Sequence, residues 1–127
     1  MSSPTDRRYA KSHEWASLSG DIATVGITRF AVEQLTEPTF LELKKVGLKV
    51  KPGDEVGMIE SVKSTSPIYA PVLGEIVEVN NAALNDLTQV NDDPFGRGWM
   101  LKIKLAPGAT LDHLLNATQY DALIAGQ

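Results

Sequence analysis

Turn-forming residues cut this chain into short pieces, and that spacing limits its fold more than any other feature. "KPGD" (51–54), Pro67, Pro71 with Gly74, "DDPFGRG" (92–98) and "PGAT" (107–110) interrupt it repeatedly. Pro presets φ and Gly supplies conformations that other residues resist, so each cluster reads as a turn. Several stretches between them alternate apolar and polar residues, the period of a half-buried strand. "DIATVGIT" (21–28) sets Ala23, Val25 and Ile27 against Ile22, Thr24 and Gly26. "TFLEL" (39–43), "EVGMIESV" (55–62), "STSPIYA" (64–70), "EIVEV" (75–79) and "WMLKIKL" (99–105) read as further strands. In "EIVEV", Ile76 is expected to face away from Val77 and Val79. "LKKVGLKVK" (43–51) is mildly basic, with the period of a strand that has one solvated face.

Helical signals lie at the margins. Thr28 is placed to cap a short helix over 29–35, in which Phe30, Ala31, Gln34 and Leu35 share a side and which Pro38 ends. "NN" (80–81) reads as a turn, and 82–98 as a long loop with one helical turn. Thr110 is expected to cap a C-terminal helical tail over 110–124, with Leu111, Leu114 and Leu115 as its stripe. Asp112 sits in its first turn, and the Asn116/Gln119 spacing marks a second cap that divides the tail into two short helices. Short strands with helices at the edges, and no strand–helix alternation, predict a mainly β sandwich or barrel forming one domain over 1–127.

Composition excludes several functions. The chain has 127 residues, enough to bury one core, and no cysteine, hence no disulfide, thiolate zinc site or cysteine nucleophile. A net charge of −4 without clustered Lys/Arg argues against nucleic acid as partner. No apolar run suits a signal peptide or a membrane span, so a cytoplasmic protein is the expectation; a monomer is the separate expectation for its assembly. No nucleophile elbow, phosphate loop or dinucleotide fingerprint is present. Of the two histidines, His113 falls on the expected tail as a surface residue, while His13 adjoins Glu14 as a candidate site pair. Asp92 and Asp93 beside Pro94 read as a solvated turn. Trp15, Tyr69, Phe95 and Trp99 read as core or cleft lining.

Lys63 stands apart. In "ESVKSTS" (60–66) it sits between two strand-like segments, among the small residues Ser61, Ser64, Thr65 and Ser66, with no carboxylate immediately beside it. An unobstructed amine at the tip of a rigid hairpin suits covalent modification.

The segment "ESVKSTSPIYAPVLGEIVEVN" (60–80) closely resembles the lipoylation segment of the glycine cleavage H-protein family. "SHEW" (12–15), "VGIT" (25–28), "VNDDPFGRGWMLKIK" (90–104) and the Leu-rich tail have counterparts in the same order. The resemblance implies a lipoyl/biotinyl-type β-barrel-sandwich hybrid and a carrier that is not itself an enzyme. It implies lipoic acid in amide linkage to Lys63, attached by a lipoate ligase or lipoyl transferase. Glu60, Ser61, Val62 and Ser64 then form the recognition segment around the lysine, and His13, Glu14, Phe30, Pro67 and Tyr69 are candidates for a cleft that shelters the arm. Val62 and Ser64 do not fit the methionine-flanked lysine of biotin carriers. Val62 and the chain's length do not fit lipoyl domains of 2-oxoacid dehydrogenases.

Two departures bear on cargo. The family usually has Asp where this chain has Pro67, and His or Tyr where it has Phe30; its Leu-Gly-Asp after the first helix is here Leu35, Thr36, Glu37 and Pro38. The missing Asp and Glu14 are the groups expected to hold a cationic aminomethyl amine, and losing one weakens such a site by roughly 1–3 kcal/mol. On that ground the favoured reading is a lipoate-binding paralogue of the sulfur-oxidising heterodisulfide-reductase-like system, with that complex as partner. The alternative is glycine cleavage, with a glycine decarboxylase, an aminomethyltransferase and dihydrolipoamide dehydrogenase as partners. An unmodified binding module is the reading from another class.

Overall fold

The computed structural model describes residues 3–126. Its elements run in chain order: β1 (Arg8–Tyr9), β2 (Glu14–Ser19), β3 (Ile22–Ile27), α1 (Arg29–Leu35), β4 (Pro38–Leu43), β5 (Lys49–Val50), β6 (Glu55–Ser61), β7 (Thr65–Tyr69), β8 (Gly74–Val79), α2 (Asn81–Asn85), α3 (Thr88–Asp92), β9 (Leu101–Leu105) and α4 (Ala117–Ala125). Two antiparallel sheets result. One has the order β1-β2-β3-β9-β8-β5 and the other β4-β6-β7. Ala23, Val25, Ile76, Leu101 and Ile103 of the first pack in one core with Leu41, Val56, Ile59 and Ile68 of the second. The mainly β, two-sheet architecture of the barrel-sandwich type is as the turn spacing and the resemblance led one to expect.

A second cluster, Tyr9, Trp15, Ala117 and Tyr120, anchors the C-terminal helix. Trp15 donates its indole N–H to the carbonyls of Ile27 and Pro94, 3.1 and 3.0 Å away. Its ring lies so close to Gly26 that a Cβ there would come within 2.7 Å of it. Gly26 is therefore a space requirement in mid-strand.

Several local expectations are corrected. Thr28 does cap α1, accepting from the Ala31 N–H at 3.2 Å. Phe30, Ala31, Gln34 and Leu35 do share a side, the one that lines a cleft, while Val32, outside that stripe, joins Leu35 in the core. The helix stops at Thr36, whose φ of 74° turns the chain and whose N–H reaches the Val32 and Glu33 carbonyls. Pro38 instead opens β4. Of 43–51, only Lys49–Val50 form a separate strand, because Gly47 (φ 98°) turns the chain after β4. A register shift between Ile76 and Glu78 brings Val79 back toward the core beside Ile76, leaving Val77 outside.

Residues 80–98 are not a turn and a long loop. Asn80 caps α2 through Ala83 N–H and ties the segment down through Arg97 and Trp99 carbonyls. Asp93 accepts from Arg97 N–H at 3.0 Å and so organises the turn after α3. In the tail, 111–115 is irregular. It is held by Tyr9–Leu115 backbone bonds, because two hydrogen bonds to Tyr9 of β1 outcompete a single helical turn. The one helix there is α4, capped reciprocally by Asn116 and Gln119.

Gly74, read with Pro71 as a turn, opens β8 against β9, where an added Cβ would fall 2.1 Å from the Lys104 carbonyl oxygen. Gly74→Val is expected to lower the unfolding free energy by about 3 kcal/mol or more, read from urea melts. Thr36, a β-branched residue held at positive φ, gives the opposite expectation. Thr36→Gly should raise stability by about 1 kcal/mol in the same assay.

Candidate functional site

β6 and β7 form a hairpin whose tip is residues 62–64. Ser61 N–H closes it on the Ser64 carbonyl at 2.8 Å, and Lys63 N–H donates to Ser61 Oγ at 3.4 Å. Lys63 is exposed and Val62 is 87% exposed. Among the described residues no carboxylate lies within ion-pair distance of Lys63. Its amine is thus free in solvent on a loop fixed by two strands.

Beside the tip is a cleft of about 370 Å³. One wall is β7 with the end of the loop, from Ser64 to Ile68. The other is α1, through Phe30, Ala31, Gln34 and Leu35. Ser12, His13 and Glu14 close the floor, with Ile27 and Ile59 behind. Other hollows, of about 380 to 760 Å³, lie away from Lys63, among them one behind Tyr69, one around Leu18 and Leu73 and one beside Tyr120. The cleft at the hairpin is the one that an acyl arm on Lys63 adjoins. Phe30, Ala31, Leu35, Pro67 and Ile68 give its walls apolar surface, interleaved with the polar Gln34, Ser64, Thr65 and Ser66, and its floor is polar; that mixture suits a short aliphatic chain with a polar end, so the residues present fit a lipoyl group.

β7 is the edge strand of its sheet. Ala70 N–H bonds inward to Asp54, while Tyr69 N–H points outward and donates to Glu14 Oε2 at 3.1 Å. By the alternation of an antiparallel ladder, Thr65 and Pro67 also direct their backbone groups toward the cleft. Pro67 therefore costs no ladder bond, and it removes an N–H from the cleft wall.

Glu14 is 1% exposed. Ser12 Oγ donates to one carboxylate oxygen and Tyr69 N–H to the other. Burial outweighs these bonds and pushes the carboxyl up to about 7. It is the only carboxylate lining the cleft among the described residues. His13 adopts φ 78°, and its ring packs against Phe30 at 4.9 Å. Burial lowers its pKa. Its Nδ1 lies 2.7 Å from the Tyr120 hydroxyl, which lies 2.7 Å from Thr28 Oγ1.

The structure thus brings together His13, Glu14, Phe30, Ser64 and Pro67. Tyr69 contributes its N–H to Glu14, but its side chain lines the neighbouring hollow. Glu60, Ser61 and Val62 lie on the hairpin and do not line the cleft. His113 is exposed, on irregular chain, with Nε2 2.7 Å from the Pro71 carbonyl. Sequence reasoning missed Ser12 and Tyr120. Ser12 sits two residues from Glu14, a spacing at which a hydroxyl readily meets a carboxylate; Tyr120 carried no local signal, being 107 residues from His13.

A small antiparallel sandwich that holds an unpaired lysine on a hairpin beside a cleft of mixed apolar and polar lining has the form of a carrier domain of the lipoyl type. A family model described as glycine cleavage H-protein matches residues 7–127. The chain is similar to the glycine cleavage system H protein of Carboxydothermus hydrogenoformans, 43% identical over 95% of this chain and 93% of that one. It is 46% identical to that of Nitratidesulfovibrio vulgaris, over 100% of this chain and 98% of the other. The crystal structure of a glycine cleavage system H protein from Mycobacterium marinum superposes with a TM-score of 0.89 at 37% identity, covering 97% of this chain and 99% of that one. The chain belongs to the glycine cleavage H-protein family. Proteins of this family carry lipoate covalently on a lysine and serve as carriers rather than as catalysts in their own right. The relatives' names agree with glycine cleavage, the alternative reading, and lend no support to the sulfur-carrying one favoured by Pro67 and Phe30. No helix of the described residues is long and apolar enough to cross a membrane.

The buried carboxyl gives a pH signature. A folded-state pKa of about 7, above the ordinary 4.5, means that the neutral form suits the fold. Glu14 is then best tolerated below pH 4.5, and stability is lost as pH rises toward 7 and beyond. In urea melts, the stability of Glu14→Gln relative to the parent should improve by about 2–3 kcal/mol between pH 5 and pH 8.5. An unchanged difference would place Glu14 in a wetter site than its burial indicates.

Proposed function

We propose that this protein is the lipoyl carrier of a glycine cleavage system, with Lys63 as the attachment residue. The observation that carries the reading is the unpaired, exposed Lys63 amine at a rigid hairpin tip beside the Glu14 cleft. When bound, the lipoyl group supplies the sulfur chemistry that takes up and yields an aminomethyl unit. The protein's own residues hold and shelter. Ile27, Leu35, Ile59 and Ile68 offer apolar walls to the arm. Glu14 offers its charge to a cationic amine, and such a cation draws its proton off, since an opposite charge favours the ionised carboxylate. The cleft walls limit access of water to the cargo.

The partners on this reading are a lipoate ligase or transferase, a glycine decarboxylase, an aminomethyltransferase and dihydrolipoamide dehydrogenase. Pro67 fits this reading without a second acid. It leaves the carbonyls of the β7 edge directed at the cleft and removes the N–H that would oppose a cation there. The cleft holds its cargo amine through one carboxylate and neutral acceptors, a weaker site than one with two carboxylates.

The test starts with intact and tryptic mass of protein from a lipoate-competent host, where Lys63 should carry the single lipoyl group and Lys63→Arg none. Lipoylated protein should support glycine–bicarbonate exchange with a glycine decarboxylase, and Lys63→Arg should not. Pro67→Asp should slow ammonia release from the loaded carrier about fivefold, as for an added half-exposed ion pair of about 1 kcal/mol. Lipoylation elsewhere with Lys63 bare overturns the attachment site. A lipoylated protein that loads sulfur from a donor and shows no glycine exchange overturns the pathway.

A further inference from the structure

Tyr120, His13 and Thr28 form a chain of three polar groups whose proton directions follow from a count of donors. Thr28 is 1% exposed and Tyr120 is fully buried. Thr28 Oγ1 already accepts the Ala31 N–H at the start of α1. Its own proton needs an acceptor, and the Tyr120 oxygen, 2.7 Å away, is the one side-chain partner it has among the described residues. With Thr28 donating to it, Tyr120 must send its proton onward, and His13 Nδ1 at 2.7 Å receives it. Nδ1 then carries a lone pair, so the neutral ring bears its proton on Nε2. A proton on Nδ1 would reverse both bonds and leave the buried Thr28 hydroxyl without an acceptor, a costly state.

The ring is held for this purpose by its backbone. His13 N–H donates to the Ala10 carbonyl, and its own carbonyl accepts from Thr28 N–H, each at 3.0 Å. Phe30 of α1 covers one side. Tyr120 is itself fixed by stacking on Tyr9 at 4.7 Å and by the reciprocal cap of α4. The titratable groups around the relay are Glu14, Arg29, Glu33, Tyr9 and Asp121; Tyr9 donates its hydroxyl to the Pro4 carbonyl, and Asp121, beside Tyr120 on α4, accepts from Ser3. Glu14, next to His13 on the cleft floor, is engaged by Ser12 and Tyr69. Arg29 and Glu33 of α1 border the hollow on the far side of Tyr120, and Arg29 is bound to the Asn91 and Asp92 carbonyls.

We propose that the Tyr120 hydroxyl is a positioning group that fixes His13 as the neutral Nε2–H tautomer, so that the cleft presents an uncharged hydrogen-bond donor to the docked arm. The proposal rests on the lipoyl-carrier reading for the identity of that arm. Nδ1 is taken up by Tyr120, and Nε2 has no protein partner among the described residues, so it is the ring atom available to the cleft. A neutral ring does not repel a cationic cargo amine or compete with it for Glu14. An N–H donor suits a sulfur or carbonyl acceptor on the arm. Burial, which lowers the His13 pKa, acts in the same direction.

The test is long-range ¹H–¹⁵N correlation NMR of the two histidines in the full chain without a lipoyl group, with His113 as internal reference. His13 is expected as the Nε2–H tautomer at pH 8, with its midpoint below the ordinary imidazole value. In Tyr120→Phe the Nδ1–H tautomer should appear and the His13 midpoint should rise, with His113 unmoved. An Nδ1–H tautomer in the parent protein overturns the proposal, whether or not the variant folds; so does a Tyr120→Phe spectrum identical to the parent's. A second comparison uses protein lipoylated on Lys63, verified by mass. Its His13 Nε2 signal should shift relative to the unmodified chain while that of His113 stays, and an unmoved His13 signal overturns the contact with the arm. Failure of Lys63 to accept a lipoyl group is seen in the mass and bears on the function proposed above, since the tautomer is read without it.

Discussion

One hydrogen bond, from Tyr69 N–H to the buried Glu14 carboxylate, joins the two sheets where the cleft is made. Glu14 opens β2 of the six-stranded sheet, and Tyr69 ends β7 of the three-stranded one. β7 has β6 on one side and no strand on the other. Had a further strand paired there, the space beside Lys63 would be filled. Val56, Ile59 and Ile68 hold the hairpin on the shared core, and the Tyr69–Glu14 bond fixes its open edge against the floor. A single side chain at one end of the strand leaves the rest of the edge open as a wall. The same side chain has been taken out of water to do this, so it stays near the balance point between its two protonation states.

The C-terminal helix is part of this arrangement. Tyr120 reaches from α4 to the start of α1 and to the turn that carries His13. One cleft wall and part of the floor therefore depend on an element that lies outside the sandwich core. Trp15, one residue from Glu14, binds Ile27 and Pro94 through its indole and receives the Arg7 guanidinium over its ring at 4.6 Å. The floor of the cleft is thus stiffened from beneath by the second hydrophobic cluster.

Much of this was legible in the residues, for reasons that differ by element. β3, β6, β7 and β9 announce themselves because their alternation is local and the sheets reward it on one face only. The Thr28 cap and the Asn116/Gln119 box are likewise short-range chemistry. Where the expectation failed, a distant partner decided. Residues 111–115 have a helical stripe, but pair with Tyr9. Val79 should point away from Ile76, but a bulge opposite β9 returns it. The stop of α1 is Thr36, a residue with no preference for positive φ. The hairpin lysine could be found from spacing and neighbours. The cleft could not be, because its floor, two walls and hydroxyl relay come from segments far apart in the chain. Pro67 was read as the loss of an acid, and its place on an edge strand shows the other half of the substitution, the removal of a backbone donor.

That same proline has a consequence for how molecules meet. An open edge strand invites another chain to pair along it, and β7 must stay open for the cleft to exist. With no N–H at Pro67 the edge cannot offer a continuous ladder, so an intruding strand finds a broken template. A concentrated solution of this carrier is protected from strand-to-strand association at the very edge its cleft has to expose.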